Sequence, residues 1–123
     1  MKSQSYTFKK KERLTGKKLI GELFGMGQSM LVYPVKAVYF DTEIITDSPA
    51  KAAFSVNKKN FRRAVDRNFL KRRMKEIYRL NKNDFYQNLG DKKLAVMFIY
   101  VAKEILPYST IEKSIKTIIN KLA

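Results

Sequence analysis

The stretch LAVMFIYVA, Leu94 to Ala102, is nine apolar residues in a row. Its length and its β-branched and aromatic content are those of a strand covered on both faces, and it is far short of the roughly 20 apolar residues that cross a bilayer. Such a strand needs neighbours on both sides and an apolar layer to pack against. The flanking sequence offers both. From Phe61 to Leu80 the period is helical, with Leu70, Met74, Ile77 and Tyr78 forming an apolar stripe at spacings of four, three and one. Beyond the strand, Ser109 and Glu112 have the spacing of a capping box, ahead of Ile111, Ile115, Ile118, Ile119 and Leu122 at helical spacing.

Before the basic helix, YPVKAVYF (Tyr33 to Phe40) and KAAFSV (Lys51 to Val56) read as strands. The turn-rich link between them has room for a short strand at Ile44 to Thr46, so an antiparallel meander is expected. Upstream, Thr15 is positioned to cap a short helix with Ile20, Leu23 and Phe24 on one face, stopped by Gly25 and Gly27. Met1 to Arg13 is a lysine-rich polar arm containing Tyr6 and Phe8, expected to be ordered in part at most, with a solvated tail favoured over base stacking. The resulting order, helix, two or three strands, helix, strand, helix, describes an α+β chain with one layer of helices on one sheet. Its 123 residues fit a single domain, 1–123, with one core and no dividing linker.

Two absences narrow the chemistry. The chain has no cysteine, which excludes disulfides and thiolate chemistry and fits a reducing cytoplasm, and no histidine, the commonest metal ligand and neutral-pH base. The eleven acids, scattered from Glu12 to Glu112, show no close pair of the kind a two-metal nuclease needs. There is no phosphate-binding glycine loop and no activated nucleophile. These features describe a binder rather than a catalyst, with no catalytic residue and no protein-held metal expected. The first eleven residues lack the apolar core of a secretory signal.

The formal charge of +15 calls for a polyanionic partner, nucleic acid ahead of an anionic membrane surface. That charge is concentrated. Between Phe54 and Leu80 stand Lys58, Lys59, Arg62, Arg63, Arg67, Lys71, Arg72, Arg73, Lys75 and Arg79, opposed only by Asp66 and Glu76. Six of the seven arginines lie between Arg62 and Arg79, and arginine suits bidentate phosphate contact. On a helical wheel centred on Leu70 the apolar stripe spans about −20° to +80°, while Lys71, Lys75, Asn68, Arg79 and Arg72 fall between about 100° and 200°. Lys71, Lys75 and Arg79 form an i, i+4, i+8 row of like charges, locally unfavourable unless an anion lies over it. A merely solvated face is the competing reading.

The segment FSVNKKNFRRAVDRNFLKRRMKEIYR, Phe54 to Arg79, resembles the signature region of the protein component of bacterial ribonuclease P. In that family a strand ending in a Ser/Asn-Lys-Lys step leads into an Ala-Val-x-Arg-Asn-Arg helix. The similarity runs back through RLTGKKLIGELFGMGQS and forward through LPYSTIEKSIKTIINKL, covering roughly Arg13 to Leu122. The resemblance implies an RNA subunit that performs the hydrolysis removing the 5′ leader of precursor tRNA, with Mg2+ held mainly by that RNA. The protein would bind the catalytic RNA and hold the single-stranded leader between the sheet and the first helix. By resemblance, Arg67, Asn68, Lys71, Arg72 and Lys75 face RNA, Lys58 and Lys59 flank them, and Arg62 and Arg63 add charge nearby. Ile20, Phe24 and Val38 match leader-cleft positions, where a core role competes. The family fold implies about four strands and three helices in the order α-β-β-β-α-β-α. It also implies a left-handed strand-helix-strand crossover, against the general right-handed preference. One departure is plain: Phe69 stands where the family usually has the second arginine. No membrane or protein partner is implied, and the alternative is a stand-alone RNA-binding module such as a ribosomal-RNA-associated protein.

Overall fold

The computed structural model describes residues 8, 12–14, 20, 21, 24, 25, 27–41 and 49–123. The apolar run forms β4 (Leu94–Tyr100), which lies between β2 (Val35–Asp41) and β3 (Ala50–Val56). β2 pairs with it antiparallel and β3 parallel, and β1 (Gln28–Val32) completes the order β1-β2-β4-β3. The expected meander is therefore corrected, since β2 and β3 are consecutive in sequence but separated by β4. The reason is burial. β4 is apolar along its length and gains most from the position with a partner on each edge and cover on each face. What remains local is the β1–β2 hairpin, whose turn contains Tyr33 and Pro34 joined by a cis peptide bond. The residues proposed for a short strand at Ile44 to Thr46 lie outside the described residues.

The parallel β3–β4 pair is connected by α1 (Ala64–Leu89), a helix of 26 residues. It ends at Gly90, whose φ of 60° is a left-handed conformation that glycine adopts without steric cost. The helix buries Leu70, Met74, Ile77, Tyr78, Lys82, Phe85 and Leu89, so it continues nine residues past the expected end at Leu80. The second helix, α2 (Tyr108–Leu122), buries all five of its expected apolar residues, Ile111, Ile115, Ile118, Ile119 and Leu122. The expected capping box does not form: the chain enters the helix after Pro107, whose carbonyl accepts from the Thr110 and Ile111 N–H groups, and Ser109 lies within the first turn. Among the described residues Ile20, Gly21, Phe24 and Gly25 are helical, while Thr15 lies outside them.

Both helices pack on the sheet face formed by Leu94, Val96, Phe98 and Tyr100 of β4 with Val35, Ala37, Ala52 and Val56. At its centre is an aromatic cluster: Phe54 stacks on Phe98 at 5.5 Å, and Phe8 and Phe54 meet Tyr78 edge-on at 5.7 and 5.8 Å. Such pairs contribute about 0.5–1.5 kcal/mol each beyond their burial. Phe8 is therefore a core residue, which corrects the solvated-tail reading at that position; Tyr6 lies outside the described residues. At the β3 edge Arg13 bridges to Ala52 in parallel sense, and the Leu14 N–H donates to the Ala52 carbonyl at 2.8 Å. Leu14 joins Val38, Ala95 and Met97 on the opposite face, with Ile20, Phe40, Ala53 and Ile99 against them. The sheet is thus covered on both faces, not by one helix layer alone.

Candidate nucleic-acid interface

The connection from β3 into α1 carries Lys58, Lys59, Arg62 and Arg63, all exposed, on a backbone that is held at several points. Asn57 closes the turn through its carbonyl, which accepts from the Asn60 and Phe61 N–H groups, and through its side-chain oxygen, which accepts from the Lys59 N–H at 2.9 Å. The Asn60 amide donates to the Val101 carbonyl at the end of β4, 3.3 Å away. Phe61 is buried against Tyr100 at 5.9 Å. The cations on this turn are long and flexible, but their attachment points are not.

Arg67 helps to hold the same turn. Its Nη1 donates to the carbonyls of Phe61 and Arg62, each at 2.8 Å, so this half-buried residue clamps the chain as it enters the helix. No side chain caps the helix N-terminus, and Asp66 places a negative charge in its first turn. Further along α1, Asn68, Arg72 and Lys75 are exposed and Lys71 is half-buried. Arg79 is partly compensated by Glu76, 4.0 Å away. Among the described residues no carboxylate pairs with Lys58, Lys59, Arg62, Arg63, Lys71, Arg72 or Lys75. The like-charged surface therefore exists as a surface, and no ion pair among the described residues relieves the repulsion of these seven cations.

Phe69 stands beside this surface, 39% exposed. The Arg73 guanidinium lies over its ring at 4.5 Å and over the Tyr108 ring at 5.3 Å, joining the start of α1 to the start of α2. Next to it is an open depression of about 520 Å³ lined by Val65, Asp66, Asn68, Phe69, Arg72 and Ile105. Sequence reasoning missed Ile105, which sits in the β4–α2 connection and bears no motif.

The three cleft candidates divide. Val38 is buried and Ile20 half-buried within one cluster on the sheet face away from α1 and α2, whereas Phe24 is 56% exposed and stands outside that cluster. Among the described residues no three Asp, Glu, His or Cys side chains gather as a metal site. No helix among them is long and apolar enough to cross a membrane.

An arginine-rich helix on a mixed sheet, with the cations from Lys58 to Lys75 unpaired by carboxylates among the described residues, defines a basic α+β protein of the polyanion-binding class. The comparisons give the family. The model described as Ribonuclease P matches residues 8–123. The ribonuclease P protein component of Porphyromonas gingivalis is 32% identical over 121 residues, covering 97% of this chain and 88% of that one. The Petrotoga mobilis protein component is 32% identical over 126 residues, covering 97% and 98%. Among solved structures, the RNase P protein of Thermotoga maritima superposes with a TM-score of 0.73 at 21% identity, covering 91% of this chain and 98% of that one. The Staphylococcus aureus RNase P protein gives 0.73 at 18%, covering 90% and 94%. This chain belongs to the ribonuclease P protein family, the protein part of an endoribonuclease whose catalysis lies in RNA.

Proposed function

We propose that this chain is the protein component of ribonuclease P, binding the catalytic RNA and the 5′ leader of precursor tRNA and so assisting 5′ maturation in the cytoplasm. The observation that carries the reading is the set of cations from Lys58 to Lys75 without carboxylate partners among the described residues, held on a pinned turn and one helix. Lys58, Lys59, Arg62, Arg63, Lys71, Arg72 and Lys75 neutralise phosphates, Asn68 supplies both a donor and an acceptor, and Arg67 holds the frame while reaching the same surface. Ile20, Phe24 and Val38 mark the sheet face and first helix along which the leader lies. In this reading Mg2+ is held mainly by the RNA subunit. The protein's share is to neutralise charge and position substrate, which lowers the magnesium the RNA needs.

The test mixes the chain with a bacterial ribonuclease P RNA at low magnesium and a precursor tRNA carrying a leader of several nucleotides. Leader removal faster than by the RNA alone is expected. Equal rates with and without the chain would overturn the reading, as would cleavage by the chain with no RNA subunit.

A further inference from the structure

The depression beside Phe69 combines three features. First, it gathers exposed apolar surface: Val65 is 64%, Ile105 45% and Phe69 39% exposed, and all three line the same hollow. Second, this apolar floor lies in the most cationic part of the molecule, with Arg72 and the Asn68 amide among its lining residues. Third, both sides are held in place. On α1, Val65 and Phe69 are one turn apart, and Arg73 lies over the Phe69 ring. On the other side, Tyr100 fixes the loop around Ile105: its hydroxyl donates to the Glu104 carbonyl at 2.7 Å and accepts from the Leu106 N–H at 2.9 Å. The volume of about 520 Å³ falls in the range of roughly 300–1,000 Å³ typical of ligand clefts.

An occupant must be apolar on its faces, able to hydrogen-bond at its edge, and tethered to negative charge. A nucleobase meets all three conditions, with its own phosphate within the reach of a neighbouring arginine. We propose that this depression receives a single unstacked base of the RNA, which packs on Phe69 and Ile105, meets Asn68 with its polar edge, and directs its phosphate to Arg72. The proposal rests on the reading of the chain as a ribonuclease P protein component and adds a base-binding contact at Phe69, which stands where the family usually has an arginine. An apolar protein partner fits less well, because it would strip water from Arg72 and Asn68 without supplying an anion.

The test compares wild type with Phe69→Ala, Ile105→Ser and Arg72→Gln for affinity to a bacterial ribonuclease P RNA transcript over a series of KCl concentrations, with chemical probing of base edges. Phe69→Ala is expected to weaken binding about 5- to 150-fold, the loss of one stacked base. Ile105→Ser, which leaves the Phe69–Arg73 pair intact, weakens it severalfold. The salt slope of Ile105→Ser stays at the wild-type value because no phosphate contact is lost, whereas Arg72→Gln lowers it by about one contact. A base protected by wild type becomes reactive in Phe69→Ala and in Ile105→Ser. Wild-type affinity and unchanged protection in both of those variants would overturn the proposal while leaving the RNA reading standing. A wild-type chain that fails to bind the transcript overturns the RNA reading itself. A dimer that Ile105→Ser dissociates, with RNA affinity unchanged, assigns the depression to a second copy and overturns the proposal as well.

Discussion

The guanidinium of Arg73 lies 4.5 Å from the centre of the Phe69 ring and 5.3 Å from that of Tyr108, so one arginine of the basic segment ties α1 to α2. Cation–π contacts of this kind contribute about 0.5–2 kcal/mol each, depending on exposure. Arg73→Ala is therefore expected to lower stability by about 1–2 kcal/mol. Arg73→Lys should recover part of that loss, because the charge survives but the planar face does not. Urea denaturation at neutral pH measures both.

Arg67 and Arg72 should separate in their effects although both belong to the same motif. Arg67 clamps two carbonyls, and removing it leaves them to find other donors, a cost of about 1–3 kcal/mol. Arg72 is exposed and pairs with no carboxylate among the described residues. Arg67→Ala should lower both the thermal midpoint and RNA affinity, while Arg72→Ala should leave the unfolding free energy within about 0.5 kcal/mol of wild type and reduce affinity. Equal thermal losses in the two variants would contradict the division.

Lys82 and Glu12, 70 residues apart, form a buried ion pair in which the ammonium donates to both carboxylate oxygens at 2.8 Å. Tyr86 adds a third bond to the same carboxylate at 2.9 Å. Breaking one side of such a pair costs about 3–5 kcal/mol because a buried charge is left uncompensated. Glu12→Gln should therefore destabilise severely. The double variant Glu12→Leu with Lys82→Met should recover much of the loss in equilibrium unfolding, and its failure to do so would show that the pair has a role beyond compensating its own charges.

This pair also shows where sequence reasoning stopped. Lys82 occupies a stripe position, four residues after Tyr78 and three before Phe85, but a lysine there reads as the end of an apolar face. The partner that makes its burial tolerable, Glu12, is not local, so the helical period in the sequence ends near Leu80. The same cause hid the sheet order. The strandlike runs of β2, β3 and β4 were legible from their own residues, whereas the insertion of β4 between the other two depends on pairing across α1. β1 is a short edge strand whose apolar part is only Met30, Leu31 and Val32, too few residues to show a period. Phe8 looked like part of a charged arm because its contacts, Phe54 and Tyr78, lie far along the chain. The cationic face, by contrast, was legible residue by residue, because helical periodicity alone separates it from the core.

Stability should fall in alkali. Burial raises the pKa of the Tyr78 hydroxyl well above its ordinary value, helped by Tyr86 and by the Glu12 charge, and burial raises that of Tyr100 in the same direction. The folded state therefore keeps protons that the unfolded chain releases near pH 10. The stability that depends on these neutral hydroxyls is fully present below about pH 10 and is lost as the pH rises above it. Unfolding free energies at pH 8 and pH 11 should differ less in Tyr78→Phe than in wild type. An identical drop in both would contradict the assignment to Tyr78.

The most direct test of the account is the salt dependence of affinity for a ribonuclease P RNA, wild type against the triple variant Lys71→Gln, Arg72→Gln, Lys75→Gln. None of the three is among the side chains that α1 buries, although Lys71 is half-buried and the Lys75 ammonium lies 6.0 Å from the Phe8 ring, so the variant should fold. Each lost phosphate contact should reduce the log–log slope by about 0.7 to 0.9, so the triple variant should show weaker binding and a slope shallower by about two to three units. A triple variant that binds with the wild-type affinity and the wild-type slope would contradict the claim that this face meets the RNA.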